Sequence, residues 1–400
     1  MSQAESSPAK RSGSSHVPEL DGIRGLAIAG VMAVHFIGVL DTRTPLEHAI
    51  NRAASYGVWG VDLFFVLSGF LITGILDDAR SQPRYFTNFY ARRSLRIFPL
   101  YYLVLTSVVL LNCLGASRYV PELSQISEVQ AWFWTYTVNF YLPHTGDFSV
   151  PYISHFWSLA IEEQFYLAWP WLVGLSSRRQ AMRAAVGLSV LALVLRIVLP
   201  LGGLDRLYPM LLTPCRLDAL CVGAWLALAI RDEGWAARVA RRAPLALTIA
   251  GGLVALLSVW LILLEKADPT LHAVRGTAVA VFFGTTICLA ASHDGPRLLK
   301  SFLRAGWLRS LGKYSYGLYV YHGILGWHFH HIDLFAVCTT AVGSRWLGLL
   351  TSASLGVGLS LAIAVLSFHC FEAPFLRLKR FFNYERTSKS TLPAANNTGA

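Results

Sequence analysis

Charged residues are scarce in this chain: of its 400 residues, 14% are Asp, Glu, Lys or Arg and 54% are hydrophobic. Typical soluble domains are about 25% charged. Acidic residues are rarer than basic ones: the chain has 23 Asp and Glu and 34 Lys and Arg, which gives a net charge of +11. No polar segment is long enough to suggest a separate soluble core. The composition therefore predicts an all-α, polytopic membrane protein with a single membrane domain.

Several catalytic motifs are missing as well. There is no G-x-x-x-x-G-K-[ST] loop, no H-E-x-x-H and no G-x-S-x-G, which argues against ATP-driven work, zinc hydrolysis and elbow-type serine hydrolysis. There is no C-x-x-C pair either, so the cysteines are predicted to be buried free thiols, and we predict no metal cofactor. The six cysteines are Cys113, Cys215, Cys221, Cys288, Cys338 and Cys370.

Apolar runs recur along the chain at the length that crosses a bilayer, about 20 residues. Between them, one alternate set of segments, which includes both ends, holds 25 Lys and Arg, and the other set holds 7. Because cytoplasmic segments collect cations, both termini are predicted to be cytoplasmic, and nucleic acid is not a predicted partner. The ten predicted spans are 23–40, 57–76, 97–114, 157–175, 184–200, 208–230, 244–264, 274–292, 313–332 and 346–368.

The segments outside the spans carry further predictions. Residues 84–99 interleave aromatic residues with arginines, which predicts an amphipathic interfacial helix between spans 2 and 3. Residues 128–142, rich in Trp and Tyr, are predicted as an interfacial or re-entrant piece, or else as an eleventh span. The ends, 1–17 and 381–400, are polar and predicted to be disordered and cytoplasmic, around one membrane domain at 18–380. Residues 1–17 lack the pattern of a signal peptide.

Ionisable residues inside a span are costly, so each is a candidate for function. Arg24 and His35 lie 11 residues apart in the first span, about three helical turns, which places both on one face and about 16 Å apart. Arg24 would be at the cytoplasmic end and His35 in the outer half. The alternative is structural: Arg24 reaches the headgroups and His35 bonds to a neighbouring helix.

Glu162 and Glu163 lie about five residues into the fourth span, at the depth predicted for His35. At that depth Glu162 could hold the imidazole in one tautomer and raise its basicity, as a general base requires. Alternatively, Glu162 pairs with Arg196 or Arg216 for structural reasons.

Arg93 and Arg96 are one helical turn apart and therefore share a face. Two guanidiniums presented together suit phosphate or pyrophosphate oxygens, although a basic interfacial helix is also attracted to anionic lipid. Other intramembrane residues are predicted to have a supporting or substrate-binding role. For two of them, Asp62 and Asp218, the alternative is that they are structural partners of intramembrane arginines. The supporting candidates are Asp62, Glu163, Arg216, Asp218 and His322.

Seven motifs follow one another along the chain to about residue 380. They are LDGIRGLAIAGVMAVH, FFVLSGFLIT, FYARRSLRIFPLYY, FWSLAIEEQFYLAWP, RLDALCVGAWLA, YSYGLYVYH and FEAPFLRLKR. Together they resemble the integral-membrane acyltransferase family 3, whose members include O-antigen and exopolysaccharide O-acetylases. Arg24 and His35 match the family's Arg-x10-His, Arg93 and Arg96 its Arg-x-x-Arg, and Glu162 its Trp-Ser-Leu-x-x-Glu.

The resemblance implies ten transmembrane helices in the bacterial cytoplasmic membrane and an O-acyltransferase reaction. The donor would be cytoplasmic acyl-CoA, acetyl-CoA in particular, as cosubstrate. The acceptor would be a hydroxyl of a cell-surface or exported polysaccharide or a glycolipid. Arg93, Arg96 and Arg24 would hold the phosphates of CoA. His35 would deprotonate the acceptor or first relay the acyl group, while Glu162 orients the ring.

Two alternatives remain open at this point. A secreted small metabolite such as a macrolide could replace the carbohydrate as acceptor, since members of the family acylate such compounds too. The second alternative is a protein of a different functional class, a transporter of sugars or acyl groups whose intramembrane charges line the transport path. Transporters commonly show internal repeats, and this sequence has no recognisable internal repeat.

Overall fold

The computed structural model describes residues 17–38, 42–146, 148, 150–264, 268–292 and 295–384, and the predicted disordered ends at 1–16 and 385–400 lie outside them. These described residues form eighteen α-helices, with short 3-10 turns between some of them and no β-strand. The helices are α1 Pro18–Phe36, α2 Pro45–Ser55, α3 Trp59–Asp78, α4 Tyr85–Cys113, α5 Ser124–Trp134, α6 Val138–Thr145, α7 Trp157–Leu175, α8 Arg178–Leu201, α9 Leu207–Leu211, α10 Thr213–Ala229, α11 Glu233–Leu263, α12 Pro269–Ala291, α13 Arg297–Leu303, α14 Gly306–Lys313, α15 Ser315–His331, α16 Leu334–Val342, α17 Arg345–Ser367 and α18 Ala373–Arg377.

A helix lies at each of the ten predicted spans, which confirms the all-helical architecture. Seven helical stretches among the described residues are long and apolar enough to cross a membrane. They are Pro45–Asp78, Tyr85–Cys113, Arg178–Leu201, Leu207–Ala229, Glu233–Leu263, Pro269–Ala291 and Arg345–Phe381. The count of ten spans and the orientation of the termini stay predictions.

The other three predicted spans, α1, α7 and α15, carry five of the candidate site residues: Arg24, His35, Glu162, Glu163 and His322. The first turn of α1 has the acidic residues Glu19 and Asp21. The apolar sequence of α7 contains Glu162 and Glu163. Helix α15 has only 17 residues. Polar and ionisable residues thus reduce the apolar character of these helices. They pack against α3 and α17 within the molecule.

The predicted interfacial helix at 84–99 is not a separate element. It is the first part of α4, a continuous helix of 29 residues with Pro99 inside it. At about 1.5 Å per residue such a helix is about 43 Å long, longer than the hydrocarbon core of about 30 Å. Its arginine-bearing first turns therefore extend past the apolar part of the helix without a break.

The aromatic segment at 128–142 forms parts of two short helices, α5 and α6, of 11 and 8 residues. Neither is long enough to cross a membrane, so the alternative of an eleventh span is wrong for this structure. The segment packs on the helices of the core: the Tyr101 hydroxyl donates to the carbonyl oxygen of Phe133 at 2.7 Å, and the Gln164 amide donates to that of Tyr136 at 2.7 Å.

Glycines allow the central helices to touch backbone to backbone. A Cβ at Gly223 of α10 would lie 1.9 Å from the carbonyl oxygen of Val66 in α3, and one at Gly69 of α3 would lie 1.9 Å from that of Leu220. Small residues of this kind let membrane helices approach closely and gain van der Waals contact. Helices α3 and α10 therefore form a tightly packed central pair.

Two buried ion pairs join the same helices. Asp62 of α3 bonds to Arg216 of α10 at 2.7 Å, and Asp218 of α10 bonds to Arg196 of α8. Charges in an apolar interior require such partners. These are ion pairs of the kind that the structural alternative for Asp62 and Asp218 expects.

All six cysteines are free, as predicted, but only four of them are buried. Cys113 and Cys370 are exposed, because the first is the last residue of α4 and the second lies in a π-helical turn after α17. The end of the described chain is also in contact with the core helices: Arg92 donates to Asn383 Oδ1 at 3.0 Å. Residues 381–384 of the segment predicted to be disordered are therefore placed against α4.

Candidate active site

A cavity of about 100 Å3 brings together four residues that the sequence analysis selected. They are Arg24 of α1, Arg93 and Arg96 of α4, and Glu162 of α7. We call this space the arginine cavity. Its other polar lining residues are Ser68, Ser158, Tyr166, Ser315, Tyr316 and Tyr319. Five helices, α1, α3, α4, α7 and α15, meet around it, so residues far apart in sequence face one space.

Packing of α1 fixes the direction of Arg24. A Cβ at Gly22 would lie 2.0 Å from the carbonyl oxygen of Leu303, and one at Gly25 would lie 1.9 Å from that of Leu308. These contacts with α13 and the start of α14 set the rotation of α1 about its axis. Arg24 then points into the arginine cavity, where Asp21, one turn earlier, bonds to it at 2.9 Å.

Arg93 and Arg96 share one face of α4, as predicted, and both reach the arginine cavity. The guanidinium carbon of Arg93 lies 5.3 Å from the centre of the Tyr166 ring, a cation–π contact. Neither arginine has a hydrogen bond or ion pair to any described residue. Arg92 beside them does, since it donates to the carbonyl oxygen of Lys379 at 3.2 Å. The two cavity arginines are therefore available to a ligand.

Glu162 is the one carboxylate among the residues that line the arginine cavity. Ser68 donates to its Oε1 at 2.5 Å. Three guanidiniums thus face one carboxylate, and a space with excess positive charge attracts anions. Arginine forks bind phosphate oxygens in particular through two parallel hydrogen bonds. The alternative pairing of Glu162 with Arg196 or Arg216 is wrong, because both of those arginines bond to aspartates.

The predicted contact between Glu162 and His35 is also wrong for this structure. Glu162 faces Ser68 in the arginine cavity, whereas His35 lines a different cavity. Counting residues along a helix gives the depth of a side chain, but the rotation of each helix about its axis decides which side chains meet. The catalytic role proposed for Glu162 through His35 therefore has no contact to support it.

His35 is exposed to a second cavity, of about 590 Å3, which we call the His35 cavity. It lies between the end of α1 and the helices α15, α16 and α17. Its lining includes both aromatic rings and polar side chains: Phe36, Arg43, Phe329, His330, Asp333, Phe335, Thr339, Thr340, Arg345 and Ser352. Arg345 is held there by Glu47 at 2.8 Å. Such a mixture of hydroxyls, charges and aromatic rings suits a ligand rich in hydroxyl groups.

A thin layer of rings separates the two cavities, which share no lining residue among those described. The ring centre of His322 lies 5.0 Å from that of His35 and 5.4 Å from that of His155. We call these three residues the imidazole cluster. Tyr319, which lines the arginine cavity, has its ring centre 5.4 Å from that of His322. One layer of side chains therefore separates the arginine cavity from His35.

Gly323 makes room for this layer. A Cβ at Gly323 would lie 2.3 Å from His155 Nδ1, so the ring of His155 occupies the space that any other residue would fill. His155, Ser158 and Tyr319 were not predicted as site residues, although all three stand in or beside the motifs of the sequence. Their hydrogen bonds to each other were the missing information: Tyr319 Oη lies 2.5 Å from Ser158 Oγ.

The remaining candidates divide in two. His322 belongs to the imidazole cluster. Asp62, Arg216 and Asp218 line neither cavity and form the ion pairs described above. Glu163 also lines neither cavity, and its Oε1 is buried without a hydrogen-bond partner in the described part of the chain.

Comparison with known proteins places this chain in a family. Residues 17–369 match the family described as "Acyltransferase domain". That match includes both cavities and the imidazole cluster. No solved structure matches the chain significantly.

Several named relatives are similar over most of the chain. "Peptidoglycan O-acetyltransferase OatA" of Listeria monocytogenes is 30% identical over 385 residues, which is 92% of this chain and 57% of that protein. "O-acetyltransferase OatA" of Staphylococcus aureus is 27% identical over 77% of this chain and 50% of that protein. "Putative peptidoglycan O-acetyltransferase YrhL" of Bacillus subtilis is 28% identical over 93% of this chain and 56% of that protein. The chain thus spans about half the length of these relatives.

Proposed function

The chain belongs to the acyltransferase domain family, and on that premise we propose that it is a membrane O-acyltransferase. It moves an acyl group, acetyl in particular, from cytoplasmic acyl-CoA to a hydroxyl of an extracytoplasmic carbohydrate. We place it in the bacterial cytoplasmic membrane with ten spans and both termini in the cytoplasm. The distribution of Lys and Arg between the helices supports this orientation.

The observation that carries the proposal is the arginine cavity. CoA has a pyrophosphate and a 3′-phosphate, and the cavity offers three guanidiniums, of which those of Arg93 and Arg96 have no ion pair with the described residues. Charge-assisted hydrogen bonds from arginine to phosphate are among the stronger polar contacts in proteins. Arg93, Arg96 and Arg24 therefore bind the phosphates of the donor, and Glu162 with Ser68 lies beside them on the donor side.

His35 performs the acid–base chemistry at the other cavity. One ring nitrogen of His35 takes the proton of the acceptor hydroxyl while the hydroxyl oxygen attacks the thioester carbonyl carbon. The C–S bond then breaks, the ester is complete, and the protonated His35 returns its proton to the CoA thiolate. Acyl-CoA and alcohol thus become ester and free CoA, with no net change in the protonation of His35.

The distance between the two groups suits a donor with a long arm. Arg24 and His35 are 11 positions apart on one helix, about 16 Å along its axis. The pantetheine arm of CoA spans that separation when its phosphates are held at the arginines. For the thioester to reach His35, the arm has to pass the layer formed by Tyr319 and the imidazole cluster, so side chains of this layer move when the donor binds.

The acceptor binds in the His35 cavity. Two of the relatives are named as peptidoglycan O-acetyltransferases, and an acceptor of that chemistry is a glycan with free hydroxyls. The cavity offers hydrogen-bonding groups such as Thr339, Thr340 and Asp333 for hydroxyls. It also offers the rings of Phe329 and Phe335, which are suited to the apolar faces of sugars.

The test uses the purified protein in lipid nanodiscs with acetyl-CoA as donor and solubilised peptidoglycan fragments as acceptor. Wild type is expected to release CoA and to form acetyl esters that mass spectrometry detects. His35→Ala is expected to slow transfer by roughly 10² to 10⁴-fold, because general-base help is lost, while CoA binding is retained. His328→Ala is the control, since His328 is on α15 but lines neither cavity.

Near-normal transfer by His35→Ala would contradict the assignment of the base. Transport of acetyl groups or sugars across the bilayer without release of CoA would instead support a transporter. A wild-type protein that cleaves acetyl-CoA but esterifies only small alcohols would move the acceptor from carbohydrate to secreted metabolite.

A further inference from the structure

His322 is a fully buried member of the imidazole cluster, and the reaction proposed above gives it no role. It is 0% exposed and lies between His35, which faces the His35 cavity, and Tyr319, which lines the arginine cavity. An ionisable ring inside a membrane protein is costly unless it has a partner or a function. Its position directly behind His35 suggests where to look for that function.

The hydrogen bonds of His322 determine which of its nitrogens carries the proton. Nδ1 lies 3.0 Å from the carbonyl oxygen of Leu318, and a carbonyl only accepts, so the proton is on Nδ1. Nε2 then has a lone pair, and it is buried without a hydrogen-bond partner among the described residues. Buried polar atoms are nearly always paired. The site therefore requires a donor beside Nε2.

His155 cannot supply that donor. Its ring lies 5.4 Å from that of His322, and its Nε2 is 3.2 Å from the carbonyl oxygen of Val320. Since the carbonyl can only accept, the proton of the neutral His155 ring is on Nε2, and Nδ1 of His155 is itself an acceptor.

The hydroxyl of Tyr319 is committed as well. Tyr319 Oη lies 2.7 Å from the carbonyl oxygen of His155 and 2.5 Å from Ser158 Oγ, so its proton already has a partner. His35 is the remaining ring in contact with His322, and it makes no hydrogen bond to any described residue. Its N–H is therefore the available donor.

We propose that His322 is a positioning residue for acyl transfer: its Nε2 accepts a hydrogen bond from one ring N–H of His35, so that the other nitrogen of His35 is bare and faces the acceptor hydroxyl. Two imidazoles joined in this way have ring centres about 5 Å apart, because each ring adds about 1 Å to a bond of about 3 Å. The ring centres of His35 and His322 are 5.0 Å apart in the structure. The bond itself is not formed there, since Nε2 of His322 has no partner among the described residues, so a rotation of the His35 ring completes it. This inference rests on the proposed function.

The chemistry of the step explains why a neutral acceptor is useful there. His35 gains a proton from the acceptor hydroxyl on its bare nitrogen and then gives it to the CoA thiolate. Its N–H to His322 stays in place throughout, so His35 keeps one orientation and one tautomer. His322 thus takes the orienting role that the sequence analysis assigned to Glu162.

The test compares two replacements of His322 in the nanodisc assay. His322→Phe keeps the ring shape but has no acceptor, and it is expected to lower kcat on the order of 10²-fold, the lower end of what general-base catalysis contributes. His322→Gln keeps an acceptor near the position of Nε2 and is expected to retain at least about a tenth of wild-type kcat. KM for acetyl-CoA and CoA affinity should change by less than about twofold, because the arginine cavity is intact. His328→Phe, the same change on the same helix outside the cluster, is the control.

A second measurement does not depend on the variants folding. In 15N-histidine-labelled wild type, solid-state NMR in bilayers should show His35, identified by its loss in His35→Ala, as a single neutral tautomer with its N–H bonded to nitrogen. A mixture of tautomers would overturn the inference. Full kcat in His322→Phe would also overturn the inference. Equal losses of kcat and CoA affinity in His322→Phe and His322→Gln would overturn it too, because they indicate a structural role for His322. If wild type transfers no acetyl group, or if His35→Ala remains active, the proposed function fails instead.

Discussion

At the scale of single residues, the cavity arginines differ from their neighbour in the partners they have. Arg92 is bonded to the carbonyl oxygen of Lys379 and to Asn383, whereas Arg93 and Arg96 have no hydrogen bond or ion pair with the described residues. Three arginines within one helical turn and a half therefore have two roles: one fastens the end of the described chain, and two face the arginine cavity.

This difference predicts how CoA binding responds to substitution. Arg93→Ala is expected to weaken CoA binding by about 10- to 150-fold, which corresponds to about 1.5–3 kcal/mol for hydrogen bonds to a charged group. Isothermal titration of CoA into the nanodisc-bound protein measures it. Arg92→Ala is the matched control and should bind CoA like wild type. Equal affinity for the Arg93 variant and wild type would remove Arg93 from the donor site.

The sequence predicted these residues well where one helix decides their placement. Arg93 and Arg96 share a face because they are one turn apart, and Arg24 and His35 were correctly placed towards opposite ends of one helix. The partner of His35 was not predictable, because it depends on how α1, α7 and α15 are rotated relative to one another. Those rotations depend on contacts such as that of Gly25 with Leu308, between residues far apart in sequence.

At the scale of helices, α3 and α10 are held by backbone contact at Gly69 and Gly223 and by the Asp62–Arg216 ion pair. Sequence periodicity predicted both helices, but a glycine in an apolar run does not reveal which helix it touches. The Asp–Arg pairs were predicted only as an alternative, since charges inside spans are equally expected at an active site. Among the described residues, neither member of either pair lines the arginine cavity or the His35 cavity, which favours a packing role for them.

The close approach of these helices predicts a difference between two glycines. A Cβ at Gly223 would lie 1.9 Å from the carbonyl oxygen of Val66, whereas one at Gly252 in α11 would meet nothing within 4 Å. Gly223→Ala is therefore expected to destabilise the fold by about 1–3 kcal/mol through overpacking. Gly252→Ala is expected to be neutral or to stabilise by up to about 1 kcal/mol, because alanine favours a helix.

The difference in stability is measured by heating the purified variants and determining, by size-exclusion chromatography, the fraction that stays folded at each temperature. A Gly223→Ala protein as stable as wild type would mean that α3 and α10 are not in backbone contact. A loss of stability in Gly252→Ala as well would show that any glycine-to-alanine change in these helices is destabilising. The effect of Gly223→Ala could then not be attributed to the contact between α3 and α10, so both variants are measured together.

At the scale of the whole molecule, the predicted orientation places Cys113 outside the cell and Cys370 in the cytoplasm. Both are free and exposed, whereas the other four cysteines are buried. A membrane-impermeant maleimide added to intact cells should therefore label Cys113 and leave Cys370 unlabelled, and both should react after permeabilisation. Mass spectrometry of the labelled peptides measures this.

Cys113→Ser is the control, since it should remove labelling from outside. Labelling of Cys370 in intact cells would show that the last helix ends outside and that the even number of spans is wrong. The orientation stays a prediction, and it can be made from the sequence because it depends on counts of Lys and Arg that need no tertiary structure. The number of spans is harder to predict, since α1, α7 and α15 have the polar residues that make a span hard to distinguish from a buried helix.

The separation of the two cavities has a consequence for the energy stored across the membrane. A passage wide enough for the pantetheine arm would also admit water, and protons crossing it would dissipate a gradient worth about 2.3 kcal/mol per charge for each 100 mV. With Tyr319 and the imidazole cluster in place, the described structure shows no lining residue common to both cavities. Under the proposed function, an arm that fills the opening it makes would keep water out of the passage, and acyl transfer would then dissipate none of this gradient.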